Sequence, residues 1–121
     1  MTANFPPSLE SVVDRFAADW PAIIDVNPGW YPLIAALDSR LAAIAPAYSV
    51  FQVKSKFGSL SFFAAASEDP EEYDEEFNET IRAAEWESIV TCEECGAPAR
   101  QYAIHLWTWT LCAEHAAEKA R

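Results

Sequence analysis

The chain has 121 residues, 51% of them apolar and 13% aromatic, so it can bury a core and overall disorder is excluded. Nineteen acidic side chains against eight basic ones give a formal net charge of −11. That argues against a phosphate-backbone binder working through a basic stripe and against docking to anionic membranes, and favours basic partners.

In chain order, Phe5-Pro6-Pro7 reads as an extended lead-in. Ser8 is placed to cap a first helix running to about Asp19, with Leu9, Val12, Val13 and Phe16 as its apolar stripe. Trp20-Pro21 disturbs that helix, and Asn27-Pro28-Gly29 is a turn signal. A second helix is expected from Trp30-Tyr31-Pro32 to Pro46. Its stripe is Trp30, Leu33, Ile34, Leu37, Leu41 and Ile44, and Pro32 is tolerated in the first turn. Tyr48 to Ser55 and Leu60 to Ala65 read as two strands around a tight turn at Lys56-Phe57-Gly58-Ser59, a hairpin.

Asp69 followed by Pro70 and Glu72 has the form of a helix start, and the periodicity carries that helix to about Val90. Tyr73, Phe77, Ile81, Ala84 and Ser88 then share one face. Glu71, Glu72, Glu75, Glu76 and Glu79 share the other. Trp86, Ile89 and Val90 fall on the acidic side, so the helix is expected to become buried all round near residue 85. Charge is concentrated here. Residues 61–91 carry ten acids and one base, whereas residues 1–60 and 92–121 are each net −1.

The C-terminal part carries the strongest motif, Cys92-x2-Cys95-x16-Cys112-x2-His115. A Cys-x2-Cys turn presents two thiolates to one tetrahedral ion, and three sulfurs with one nitrogen form an ordinary structural zinc set. Gly96 supplies the left-handed backbone such a knuckle needs. Two short strands, Ala99 to Ala103 and Leu106 to Leu111, flank Ile104-His105. Cys112 then opens a helix from Ala113 to Lys119. Knuckle, hairpin and ligand-bearing helix are the order of a treble-clef zinc finger. Four protein ligands close the site, so the expected cofactor is a structural Zn2+. A redox Cys-x2-Cys would leave Cys112 and His115 without a role. His105 reads as a turn residue and not a ligand.

No Gly-rich phosphate loop, nucleophile elbow or metalloprotease helix is present. The histidine–asparagine pair of treble-clef nucleases is also missing. The chain is therefore expected not to be an enzyme. The start of the sequence lacks a basic and then apolar leader, and no apolar run reaches the length of a membrane span. The expected location is cytoplasmic, with free or metal-bound thiols.

Several segments together are similar to a family of small uncharacterised proteins of bacteriophages and prophages. They are Gly29 to Ile34, Gln52 to Phe62, Ile81 to Glu85 with Ser88, Cys92 to Gly96, and Trp109 to His115. The resemblance spans about residues 29–115. It implies a zinc-binding accessory protein of phage origin and names no reaction. The chain departs from the usual pattern at Ser59, where a second glycine is common, and at Ser61, where a basic residue is common.

The expected architecture is α+β. Residues 1–90 form a body of helices and a hairpin on a long acidic helix, and residues 91–121 a zinc module joined to it through Trp86, Ile89, Trp107 and Trp109. The expected function is to bind, and inhibit, a host protein with a basic surface, with Glu71, Glu72, Glu75, Glu76 and Glu79 as the contact. The alternatives are an immunity or antitoxin-like protein that neutralises a basic toxin, and a nucleic-acid-binding finger. A hydrolase using the clustered carboxylates is a further class, set against the plainer account of a solvated charged face.

Overall fold

The structure, a computed structural model, describes residues 5–69 and 71–121. Among these it contains four α-helices and two small sheets, a mixed α+β arrangement. The helices are α1 (Glu10–Asp14), α2 (Tyr31–Ile44), α3 (Glu75–Ser88) and α4 (Ala113–Lys119). The strands are β1 (Ile24–Asp25), β2 (Ser49–Lys56), β3 (Ser59–Ala65), β4 (Arg100–Ile104) and β5 (Trp107–Leu111). No helix among the described residues is long and apolar enough to cross a membrane.

The first helix is shorter than its apolar stripe suggests. A 3-10 turn, Pro7–Leu9, leads into α1, which stops at Asp14, and no side chain caps either start. Tertiary bonds take the chain away. Phe16 bridges Val50, the Val50 N–H donates to Arg15 O at 2.9 Å, and the Ala17 N–H donates to Val50 O at 2.9 Å. Continuing the helix to Asp19 would forfeit these bonds.

The α2 helix follows its sequence signals closely. The turn Pro28–Trp30 precedes it, Pro32 sits in its first turn, and Leu33, Ile34, Leu37 and Leu41 are buried. It also buries Asp38. The Asp38 carboxylate accepts from Arg15 Nε at 2.8 Å, from the Ser11 hydroxyl and from the Tyr48 hydroxyl. The Arg15 guanidinium lies 4.3 Å over the Tyr48 ring and also donates to Pro46 O at 2.9 Å. Burial, and then the Asp38 carboxylate, push the Tyr48 phenol far above its ordinary range, so it stays a donor. Asp38 thereby ties α1, α2 and β2 together. Asp38→Ala leaves Arg15 and Tyr48 without their acceptor. With Arg15 only 19% exposed, the loss expected in urea unfolding at neutral pH is about 2–4 kcal/mol; Asp38→Asn should lose less.

The first sheet has the order β1-β2-β3, parallel then antiparallel. The register slips between Val50 and Gln52, a bulge at Phe51. The bulge lets Val50 and Val53, three apart, face the same core as Leu60 and Phe62. Phe51, Phe63 and Trp20 group on the other side, with ring centroids 5.0–6.2 Å apart.

The free edge of β3 is closed by side chains of α3. The Leu60 N–H donates to Ser88 Oγ at 2.9 Å, and the Phe62 N–H donates to Glu85 Oε2 at 3.0 Å. These are two successive outward-facing donors of the strand, so this part of the edge offers no free N–H groups to another chain. Ser88→Ala strands the Leu60 N–H in a fully buried spot. It should cost about 1–2 kcal/mol in chemical denaturation; an unchanged midpoint would refute the role.

The acidic helix begins later than its first capping signal. Asp74 caps it by accepting from the Phe77 N–H at 2.9 Å. The Asp69 carboxylate instead accepts from the Glu71 N–H at 3.0 Å, closing a local turn, and the expected first helical residue, Pro70, lies outside the described residues. Starting at residue 70 would stack Glu71 on Glu75 and Glu72 on Glu76, like charges at i, i+4. It would also add no buried side chain before Phe77. Within α3, Phe77, Ile81, Ala84 and Ser88 are buried, whereas Tyr73 precedes the helix and is exposed. The helix is not enclosed beyond residue 85. Trp86 is 71% exposed and Val90 56% exposed.

Two buried apolar clusters result. The larger takes residues from Leu9 to Ala84, and the smaller consists of Cys92, Ile104, Leu111 and Ala116.

Candidate metal centre

The Cys92–Cys95 turn is built by backbone bonds. The Cys92 N–H donates to Ala97 O at 2.8 Å, and the Gly96 N–H donates to Cys92 O at 2.9 Å. Gly96 has φ +83°, a conformation that glycine adopts without strain. The second half of the donor set rides on α4. Cys112, in extended backbone, is the residue just before the helix, and His115 lies in its first turn. The β4–β5 hairpin carries the chain between the two halves through full antiparallel pairing, from Arg100↔Leu111 to Ile104↔Trp107. Its turn holds His105 and Leu106, both at positive φ. His105 lies apart from the donor set.

The four donor atoms of Cys92, Cys95, Cys112 and His115 lie within 4.8 Å of one another, close enough to hold one metal ion. Cys95 Sγ and Cys112 Sγ are 3.9 Å apart, and His115 Nδ1 stands 3.6 Å from Cys92 Sγ and 3.2 Å from Cys112 Sγ. The histidine therefore faces the sulfurs through Nδ1. Burial pushes the Cys92 thiol up, but the backbone N–H groups of Cys112, Cys95 and Glu94 outweigh it and bring the thiol down to about 7. For Cys95 the Ala97 N–H pulls downward, yet partial desolvation and the neighbouring sulfurs leave the thiol above its ordinary value. Bonds to Cys92 and Cys112 raise His115.

Two residues that sequence reasoning passed over hold this unit to the rest. Glu93, between the first two cysteines, is only 2% exposed. Its N–H donates to Thr110 O at 2.9 Å, and its Oε2 accepts from the Thr110 N–H at 2.7 Å. The fully buried Thr110 in turn donates its hydroxyl to Gly58 O, at the tip of the β2–β3 hairpin. Burial raises the Glu93 carboxyl above its usual range. On the other side, the Gly29 N–H donates to Glu93 O at 2.7 Å, and Trp30 Nε1 donates to Thr91 O at 2.8 Å. The joint thus runs through Gly29, Trp30 and Gly58; of the expected Trp86, Ile89, Trp107 and Trp109, Trp107 meets Phe57 across it, with ring centroids 6.3 Å apart, whereas Trp86 stays exposed. Trp107 is 51% exposed, and Trp109 is half-buried beneath the Lys119 ammonium at 3.9 Å. Main-chain groups leave no sequence signature, although Gly29-Trp30 is a dipeptide whose glycine permits close approach.

The five glutamates expected to form one acidic face are all exposed, but only Glu75, Glu76 and Glu79 lie on α3. Glu71 and Glu72 precede it in the turn set by Asp69. The face is therefore half as long as the periodicity implied. No family model, curated protein or solved structure matches this chain.

Proposed function

We propose that residues 91–121 form a treble-clef-type module with a structural zinc ion, and that the chain is a non-enzymatic accessory protein of phage type that binds a host protein with a basic surface. The donor set carries the metal assignment. Zinc–sulfur bonds of about 2.3 Å in a tetrahedron require S···S edges of about 3.8 Å and S···N edges of about 3.5 Å. Three of the six separations, 3.9, 3.6 and 3.2 Å, lie near that frame, and all six are within 4.8 Å. Four protein donors leave no place for a reacting water, which favours a folding role.

The partner assignment rests on charge. Glu75, Glu76 and Glu79 are exposed on one side of a rigid helix within a segment of net charge −9. Such a row complements a basic groove and speeds association with it, and binding to it weakens with salt. Inhibition would follow if that groove is the partner's own working surface.

Elemental analysis of the purified protein should find one zinc per chain. Affinity capture from nuclease-treated host lysate should then compare the native protein with a variant carrying Glu75→Gln, Glu76→Gln and Glu79→Gln. The expected result is one dominant basic partner, held by the native protein and released by salt. Equal capture by both proteins would overturn the assignment to the acidic face. A captured basic toxin would select the immunity class over host inhibition.

A further inference from the structure

A cleft of about 240 Å3 lies where the first sheet meets the metal module. It is lined by Asp25, Asn27 and Ser55 from one side, and by Glu93, Trp107 and Trp109 from the other. We propose that this cleft binds a guanidinium group, presented as an arginine side chain.

Glu93 is the first reason. A carboxylate that is 98% buried ordinarily has a cationic partner. Among the described residues no lysine or arginine pairs with it. Lys119 is near enough to act on it, but its ammonium is held 3.6 Å from Glu94 and over the Trp109 ring. The Thr110 N–H fixes the Glu93 carboxylate in place, so it is preorganised and not free to swing into solvent. Asp25, exposed at the mouth, supplies a second carboxylate.

The tryptophans are the second reason. Trp107 stands between Phe57 and Trp109, with ring centroids at 6.3 and 6.4 Å, and so forms part of a continuous aromatic wall. Trp109 already accepts a cation on one face, the protein's own Lys119. A planar guanidinium can stack on such a wall and donate sideways to carboxylates, whereas a compact ammonium gains less from it. Asn27 and Ser55 add polar partners for the remaining N–H groups. The proposal rests on the partner being a basic protein only for the source of the arginine; the cleft itself is independent of the acidic helix.

The indole N–H signals of Trp107 and Trp109 report the cleft directly in a two-dimensional NMR titration. The probes are Nα-acetyl-arginine methylamide, free arginine, and the uncharged citrulline counterpart of the capped form. Saturable shifts are expected with the arginine compounds and none with citrulline. Binding of the capped form at least as tight as that of free arginine assigns a protein-borne side chain; tighter binding of free arginine assigns a metabolite. Glu93→Gln keeps the shape and an acceptor for Thr110, and should weaken binding about tenfold or more. Asp25→Asn, at the exposed mouth, should weaken it by about threefold without touching the fold. Absence of saturation, an equal response to citrulline, or unchanged affinity in both variants would overturn the proposal. None of these results bears on capture through Glu75, Glu76 and Glu79, so the two assignments fail separately.

Discussion

Cys95→Ser is expected to cost the protein the zinc ion proposed for residues 91–121, and with it the folded state of that segment. The apolar cluster of this region has only four buried members, Cys92, Ile104, Leu111 and Ala116. A core that small does not hold about 30 residues by itself. Structural zinc supplies roughly 10–16 kcal/mol to comparable modules, so its loss outweighs every other contact there. The bonds from Gly29, Trp30 and Gly58 would then lose their partners, uncovering the joint and promoting aggregation. Zinc content, the near-ultraviolet signal of Trp107 and Trp109, and the melting curve all test this. A variant that keeps one zinc and its melting temperature would refute it. Acid should reproduce the effect in the native protein. The metal-free Cys92 thiol is lowered to about 7, and a bound ion keeps its thiolates ionised to still lower pH, so protons displace the metal only well below that value. Zinc should therefore be released as pH falls, and retained as it rises.

Gly29→Ala should be the most damaging single change at the joint between the two cores. A Cβ on residue 29 would stand 2.2 Å from Cys92 O and 2.5 Å from both the carbonyl carbon and oxygen of Glu93. These are backbone atoms of the metal knuckle, so no side-chain rotation relieves the clash. Either the Gly29–Glu93 bond of 2.7 Å opens, or Cys92 moves and the donor set with it. Overpacking of this kind costs about 1–3 kcal/mol or more. For a chain of this size that is a fall of roughly 4–15 °C in melting temperature. Affinity for the proposed zinc should weaken in parallel, since the tightest contact is with the backbone of Cys92, a member of the donor set. Gly58→Ala probes the other side of the joint. Its φ of +77° makes any side chain strained, but its new neighbours at 3.2 Å are the milder contacts of Gln101 and Thr108. The larger loss is expected at Gly29, and the reverse order would show that the knuckle yields more easily than the hairpin tip.

What could be read along the chain was whatever depends on a few neighbouring residues. The α2 stripe, the β2–β3 hairpin and the bounds of α4 are local consequences of periodicity, turn residues and a capping position, and the structure reproduces them. The donor set was legible for the same reason. A Cys-x2-Cys turn and a Cys-x2-His helix start each bring two donors together within four residues, and four such residue types have few other uses in one small module.

The failures share the opposite cause. Helix α1 stops early because Val50, 34 residues beyond Phe16, takes up the backbone groups that would continue it. Helix α3 starts at Asp74 and not Asp69 because two equivalent local signals are decided by burial of Phe77 and by charge repulsion. Trp86 looked like a joint residue because large aromatics are usually buried, yet the joint is made by main-chain groups at Gly29, Thr91 and Gly58. Asp38, Glu85 and Glu93 carry no sequence signal of burial. They are a buried acceptor, an edge cap and a clamp, because each meets a donor that is distant in sequence. The sequence by itself determined the α2 stripe, the hairpins and the four residues able to hold a metal, since those rest on backbone preference over one or two turns. Only the tertiary structure decided where the two cores touch and which carboxylates leave water. Both depend on hydrogen-bond partners between 10 and 64 residues apart, and no local preference encodes them.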